Sequence, residues 1–331
     1  MAQQGIRFGT DLITFYSGQF LGIGEAASQA QVSAAIEAEA RLYFDRMLDG
    51  AVAAGMAGVE FGPDPGGWRA AMAAYGTAQG VSNALEQRGL ALTSSYAAGR
   101  AILDISGMND GWRERAGAYL KDHARFVAEL GATTIVMGNL PRARFPDADD
   151  TAVPADSFES GVPASVHENL AQQFNYLGRM TAEYGVKIAI HTDAYSVCVR
   201  ESDISTILGL TDPDNVQICL DAGHVTLDGG DAVEILERHL ARIPTMHWKD
   251  CIGPRSPYEL RGDHQSRHQG MIEYFRVLGT GTIDWRRWMQ VLKAGDWSGW
   301  AIEEIDLSPK AVAELKSGLN YFAAELSPIY R

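Results

Sequence analysis

Eight times along this chain a short β-rich run is followed by a segment with the length and periodicity of a helix, and no other feature of the sequence restricts the fold as much. The predicted strands cover 6–9, 58–61, 90–94, 134–137, 187–190, 217–220, 245–248 and 300–303. The predicted helices cover 33–54, 67–88, 112–130, 165–184, 203–210, 231–241, 284–294 and 309–326. Asp284, ahead of a tryptophan-rich amphipathic face, and Ser308-Pro309 supply plausible helix starts. Neighbouring parallel strands need crossovers of this kind, and eight of them close into a single-domain (β/α)8 TIM barrel spanning 1–331. The rival is an open doubly wound sheet. Against it, the first strand runs into Gly9-Thr10-Asp11 and carries no GxGxxG phosphate loop. The least regular stretches, 139–163 and 251–282, both lie on the strand-end side, where long loops serve as lids or binding surfaces.

A chain of 331 residues can bury a large core, and its 42 acidic against 28 basic residues give a formal net charge of −14. That balance opposes an extended phosphate-binding surface and so a nucleic-acid role. Cys198, Cys219 and Cys251 are too few and too irregularly spaced for a disulfide framework or a zinc ribbon. The first residues, MAQQGIRFGTDLITF, lack a signal-peptide pattern, and no run approaches the roughly 18 apolar residues of a membrane span. A cytoplasmic protein that spans no membrane is the expectation.

In parallel α/β folds the chemistry sits at the carboxyl ends of the strands. The stretch 218–250 shows the pattern twice: one apolar run leads into Asp221-Ala222-Gly223-His224 and another into His247-Trp248-Lys249-Asp250, with one helix between. At or just after the other strands stand Asp11, Glu60, Asn139, His191 with Asp193, and Glu304 with Asp306. Such a ring of charge at one barrel mouth calls for a cation or a substrate, because unpaired buried charge is costly. With strands five to eight adjacent, His191, Asp221, His247 and Glu304 converge, one from each. Mixed imidazole and carboxylate ligation suits Mn, Co, Zn or Fe better than Ca. Manganese is the first expectation, with cobalt, zinc, magnesium and iron as alternatives.

Each residue also has an ordinary structural reading. Asp221 could be a helix cap, His247 a hydrogen-bonded core histidine, Lys249 a surface lysine paired with Asp250, and Trp285, Trp288 and Trp297 packing residues. Glu303 and Glu304 point to opposite sides of their strand, and Glu304 lies nearer its end. His191 and Asp193 share a face, so Asp193 could replace His191 as ligand or accept a proton. His224 and Lys249 could polarise a substrate oxygen or move a proton, and Glu60 could touch substrate. Arg255, Arg261, His264, Arg267 and His268 form a basic cluster in the 251–282 loop, which is solvated, covers the substrate or docks a second protein. There is no GxSxG elbow, P-loop, HExxH or CxxC.

The pieces LDAGHVTLDGGD, MHWKD, GTGTIDWRRWMQVLKAGDWSGWAIEEID and GVEFG resemble the xylose isomerase-like superfamily of metal-dependent barrels. The resemblance implies ligands from strands five to eight, usually Glu, Asp, His and Glu. Asp221, His247 and Glu304 match that set, and His224 falls where the family has a substrate-binding histidine. Strand five departs, since IAIHTDAYS places His191 where most members have glutamate; inosose dehydratases also have histidine there, in a His-x-His pattern. GTDLITFY, IHTDAYSVC and TMHWKD are most similar to the α-subunit of bacterial C-glycoside deglycosidases. That resemblance implies cleavage of a 3-keto C-glycoside, with a small β-subunit as partner; the wider branch implies a sugar isomerase, an epimerase or an inosose dehydratase. The family's chemistry is loss of a proton beside a ketone, followed by reprotonation or by expulsion of a β substituent. Asp193 or Glu60 is the expected base, and His224 and Lys249 are expected to stabilise the oxyanion or protonate the departing group. An oligomer is expected. An abasic-site endonuclease shares this barrel but requires a basic phosphate-binding surface.

Overall fold

The structure is a computed structural model that describes residues 5–142 and 157–330. Its barrel strands are β1 (Ile6–Asp11), β2 (Gly58–Phe61), β3 (Ala91–Ala97), β4 (Thr134–Met137), β5 (Lys187–His191), β6 (Val216–Asp221), β7 (Thr245–Trp248) and β8 (Gly299–Glu303). All are parallel to their neighbours and close in chain order, with β8 pairing back onto β1. The expected (β/α)8 barrel is therefore present, and β5 to β8 are adjacent. Every residue of β2, β4, β6 and β7 is buried, as expected of strands covered by helices on one face and by the barrel interior on the other.

The helices depart from expectation in ways the chain explains. The predicted 33–54 helix is two, Gln29–Ala38 and Ala40–Ala54, broken at Glu39 (φ −130°, ψ 49°). The first starts on a capping box in which the Ser28 hydroxyl accepts from the Gln31 N–H and the Gln31 side chain accepts from the Ser28 N–H. The predicted 67–88 helix splits into Trp68–Tyr75 and Ala78–Glu86 where Gly76 takes φ 81° and Thr77 caps the next turn. Trp285, Trp288 and Trp297 are packing residues: Trp285 stacks on Trp248 at 5.3 Å, and the Trp297 indole donates to the Ile243 carbonyl.

Of the two irregular stretches, residues 143–156 lie outside those described. Loop 251–282 is not structureless. Asp250–Cys251 pairs with Phe275–Arg276 as a two-stranded antiparallel ribbon, and Asp263 caps a helix, His264–Ile272, between them. Asp250, placed by sequence among the mouth residues, holds this loop instead: its carboxylate accepts from the Gly279 and Gly281 N–H groups and the Trp285 indole, each at 2.9 Å. No helix among the described residues is long and apolar enough to cross a membrane.

Glu303 and Glu304 do part company. Glu303 faces outward into the layer beneath helix Ala311–Tyr321, so close that a β-carbon on Gly318 would lie 1.7 Å from its Oε1. Both of its carboxyl oxygens are buried without a hydrogen-bond partner, and burial pushes its pKa well above the ordinary value of 4.5. The native state thus holds a proton that the unfolded chain gives up at the ordinary pKa. Stability should therefore be fullest below that pKa and fall as pH rises above it, by up to about 1.4 kcal/mol per pH unit, until the buried carboxyl itself titrates. Glu303→Gln should make the decline above about pH 5 shallower, read from denaturant midpoints; an unchanged slope would contradict this.

Candidate active site

Three barrel strands end in the residues that matter most. β5 ends at His191, β6 at Asp221, and His247 lies one residue before the end of β7, level with Asp221 in the ladder. One ligand-capable atom from each lies within 4.8 Å of the others. His191 Nε2 is 3.2 Å from His247 Nδ1, and Asp221 Oδ2 is 3.5 Å and 3.6 Å from the two nitrogens. Glu304, the fourth expected ligand, stands beside this trio rather than within it. Its Oε2 lies 2.6 Å from His247 Nδ1, while its Oε1 accepts from Lys249 Nζ at 2.8 Å.

Both readings of Asp221 hold at once, on different oxygens. Oδ1 accepts from the His224 N–H at 2.9 Å and caps helix Ala222–Asp228. Oδ2 faces the imidazoles, buried and with no hydrogen-bond partner; Glu304 Oε2 is likewise unpartnered. One unsatisfied carboxylate oxygen and two imidazole nitrogens converge on one buried point, with Glu304 Oε2 beside them, and that donor set fits a divalent cation. Burial alone would raise the Asp221 pKa, but Lys249 and His224 beside it hold it well below the ordinary carboxylate range.

Lys249 is not a surface lysine. It is fully buried, bonded to Glu304 and to Asp306 Oδ1, each at 2.8 Å, and it approaches Asp221 Oδ2 to 3.5 Å. Despite complete burial, the Asp221, Asp306 and Glu304 carboxylates hold its pKa well above the ordinary lysine value. It does not line the cavity, so its charge acts from behind the residues that do. His224 does line it. Burial first, and Lys249 second, push the His224 pKa down to about 3. Its Nδ1 faces the Ala194 N–H at 3.0 Å and its Nε2 faces the Lys249 ammonium at 3.2 Å; the neutral ring has one lone pair and accepts from one of these two donors.

The two expected bases separate. Asp193 lines the cavity with its side chain 29% exposed; its oxygens accept from His191 Nδ1 and the Asn139 N–H, both at 2.9 Å. Burial would raise its pKa, but His191 lowers it, so the carboxylate is ionised. Glu60 is fully buried and absent from the cavity wall, which corrects its reading as a substrate contact or base. It turns instead to His247, with Oε1 3.2 Å from Nε2, while Ser94 donates to Oε2.

Above this floor lies a cavity of about 420 Å³. One wall is helix His264–Ile272, which contributes His264, Arg267, His268 and Met271; the opposite side carries Tyr16, Pro63 and Arg100. The basic loop cluster therefore divides. His268 Nε2 bonds Asp306 Oδ2 at 2.8 Å, linking the loop helix to Lys249 through one carboxylate, while Arg255 and Arg261 bind loop carbonyls. Sequence reasoning missed the His268–Asp306 link, whose members stand 38 positions apart, and Tyr96, whose ring sits edge-on to His191 at 6.2 Å. The alternation along β3 could have placed Tyr96 at the mouth.

Known proteins share this fold. The chain is 28% identical over 244 residues to inosose dehydratase of Bacillus licheniformis, covering 72% of this chain and 76% of that enzyme. The fold matches the IOLI protein, whose crystal structure holds a zinc atom, with TM-score 0.66 at 14% identity over 98% of this chain and 99% of that one. It also matches the 3-keto-D-glucoside 4-epimerase YcjR of E. coli, with TM-score 0.62 at 13% identity over 96% and 99% of the two chains. With residues 48–324 matching its family model, the chain belongs to the xylose isomerase-like TIM barrel family.

Proposed function

We propose that this protein is a divalent-metal-dependent lyase that removes a proton beside the ketone of a keto-sugar and expels the β substituent, with a 3-keto C-glycoside as substrate. The observation that carries the reading is the buried trio of His191, Asp221 and His247 set beside the neutral, cavity-lining His224. The relatives named as dehydratases support an elimination, since loss of water beside a ketone is also a β-elimination, although it breaks a C–O bond where release of a C-linked group breaks a C–C bond. A cavity of about 420 Å³ has room for a sugar ring with a further group attached.

His191, Asp221 and His247 would hold the cation, with Glu304 as the fourth ligand. When bound, it would polarise the ketone and ease loss of the neighbouring proton. Asp193, the expected base that reaches the cavity, takes that proton. His224 stabilises the oxygen on which charge develops or protonates the departing group, and Lys249 sustains the potential there without touching substrate. Manganese is the proposed metal, and a small second subunit the proposed partner.

The test is elemental analysis, followed by incubation with keto-glycosides and keto-cyclitols, with and without candidate partner proteins. Released aglycone supports the lyase; stereochemical exchange without release would make the protein an epimerase. His224→Gln should lower kcat/KM by roughly 10²–10³-fold at unchanged metal content. An effect below a few-fold would remove His224 from the reaction.

A further inference from the structure

Two imidazoles face the same point through different nitrogens: His191 through Nε2 and His247 through Nδ1, 3.2 Å apart. Each can present a lone pair there only if its far nitrogen carries the proton. For His191 the far nitrogen, Nδ1, makes an aligned 2.9 Å hydrogen bond to Asp193. For His247 the far nitrogen, Nε2, lies 3.2 Å from Glu60 Oε1, and neither atom has a hydrogen-bond partner elsewhere. The Glu60 carboxyl also meets Ser94 and Asp11, and its Oε1 and His247 Nε2 are two buried polar atoms that face each other.

The barrel is built locally to make that pairing. Val59 stands opposite Leu92 in the ladder, but Glu60 stands opposite Ser94, so Thr93 is an extra residue in β3. The bulge brings the Ser94 hydroxyl onto Glu60 Oε2. The Thr93 methyl needs space, and two glycines supply it: a β-carbon on Gly58 would lie 2.6 Å from Thr93 Cγ2, and one on Gly9 3.0 Å from it. With Oε2 held by Ser94, Oε1 is left directed at His247.

We propose that Glu60 is a positioning residue that holds the proton of His247 on Nε2, leaving Nδ1 unprotonated toward His191 and Asp221 as a metal ligand. Asp193 does the same for His191 through the opposite nitrogen. The inference rests on the metal-binding reading above. A carboxylate behind a ligating histidine fixes its tautomer and raises its basicity, and its loss costs roughly 10–100-fold in metal affinity.

Two measurements test it. Nitrogen-15 histidine spectra of the zinc-loaded wild-type protein should show His247 protonated at Nε2 and His191 at Nδ1. Competition with a chelator should show Glu60→Leu weakening zinc binding by roughly 10–100-fold, and Glu60→Gln, which keeps an acceptor oxygen, by only a few-fold. His247 protonated at Nδ1, or Glu60→Leu binding zinc as tightly as wild type, would overturn the proposal. If the leucine variant does not fold, the wild-type spectrum and the glutamine variant still decide it. Failure of the wild type to bind zinc, manganese or cobalt at all would sink the metal-binding reading instead.

Discussion

Asp221→Ala should strip the protein of stoichiometric metal and reduce turnover to the level of a metal-free control, the largest single effect expected in this chain. Two functions vanish with the carboxylate. Oδ2 is the oxygen within reach of both imidazoles, and Oδ1 is the cap of the helix that carries His224. The cap is worth about 1 kcal/mol, and Lys249 keeps Glu304 and Asp306 as partners, so the variant should still fold and its metal content can be read. Asp221→Asn divides the two roles, because its amide oxygen can still accept from the His224 N–H while the carboxylate charge is gone. The asparagine variant should keep near-native stability and lose metal. Full activity in metal-depleted Asp221→Ala would dismiss the proposed chemistry.

Lys249→Met should be the most damaging to the fold. Lys249 is the ammonium among three buried carboxylates, Asp221, Glu304 and Asp306. Removing one partner of a buried ionic network, and so stranding the others, costs about 3–5 kcal/mol. Denaturant unfolding should show that loss in the metal-free protein. A bound cation would neutralise part of the stranded charge, so added manganese should stabilise Lys249→Met more than it stabilises wild type. A loss below about 1 kcal/mol would mean that water or protonation relieves the carboxylates at little cost.

The strands were legible because each is an apolar, β-rich run bounded by turn residues, and all eight fall within three residues of their predicted ends. The convergence of His191, Asp221 and His247 was legible for a related reason, because strand ends are where a barrel exposes side chains, whereas Glu304 lies beside the trio. Lys249 was only half legible. Its two-residue spacing from His247 puts both on one face, but its burial depends on Glu304 and Asp306, more than fifty positions later. Glu60 misled because a strand-end carboxylate normally meets the ligand, and the bulge that turns it toward His247 leaves no mark in the hydrophobic pattern. Helix His264–Ile272 was missed because four of its cavity-facing residues, His264, Gln265, Arg267 and His268, are polar, so it lacks the apolar stripe by which helices are recognised.

The ribbon at the base of that loop sets how this barrel could change its substrate. Asp250–Cys251 and Phe275–Arg276 bring the two ends of the intervening segment together, and Asp250 gathers the chain that leads back toward β8. Residues 252–274 therefore form a cassette closed at its neck, joined to the charged floor by the His268–Asp306 bond. Exchanging the cassette for one of different length and composition would rewrite a wall of the cavity while leaving the strand ends that hold His191, Asp221 and His247 untouched. Under the proposed function, this segment is the part of the cavity wall that can be exchanged without altering the floor.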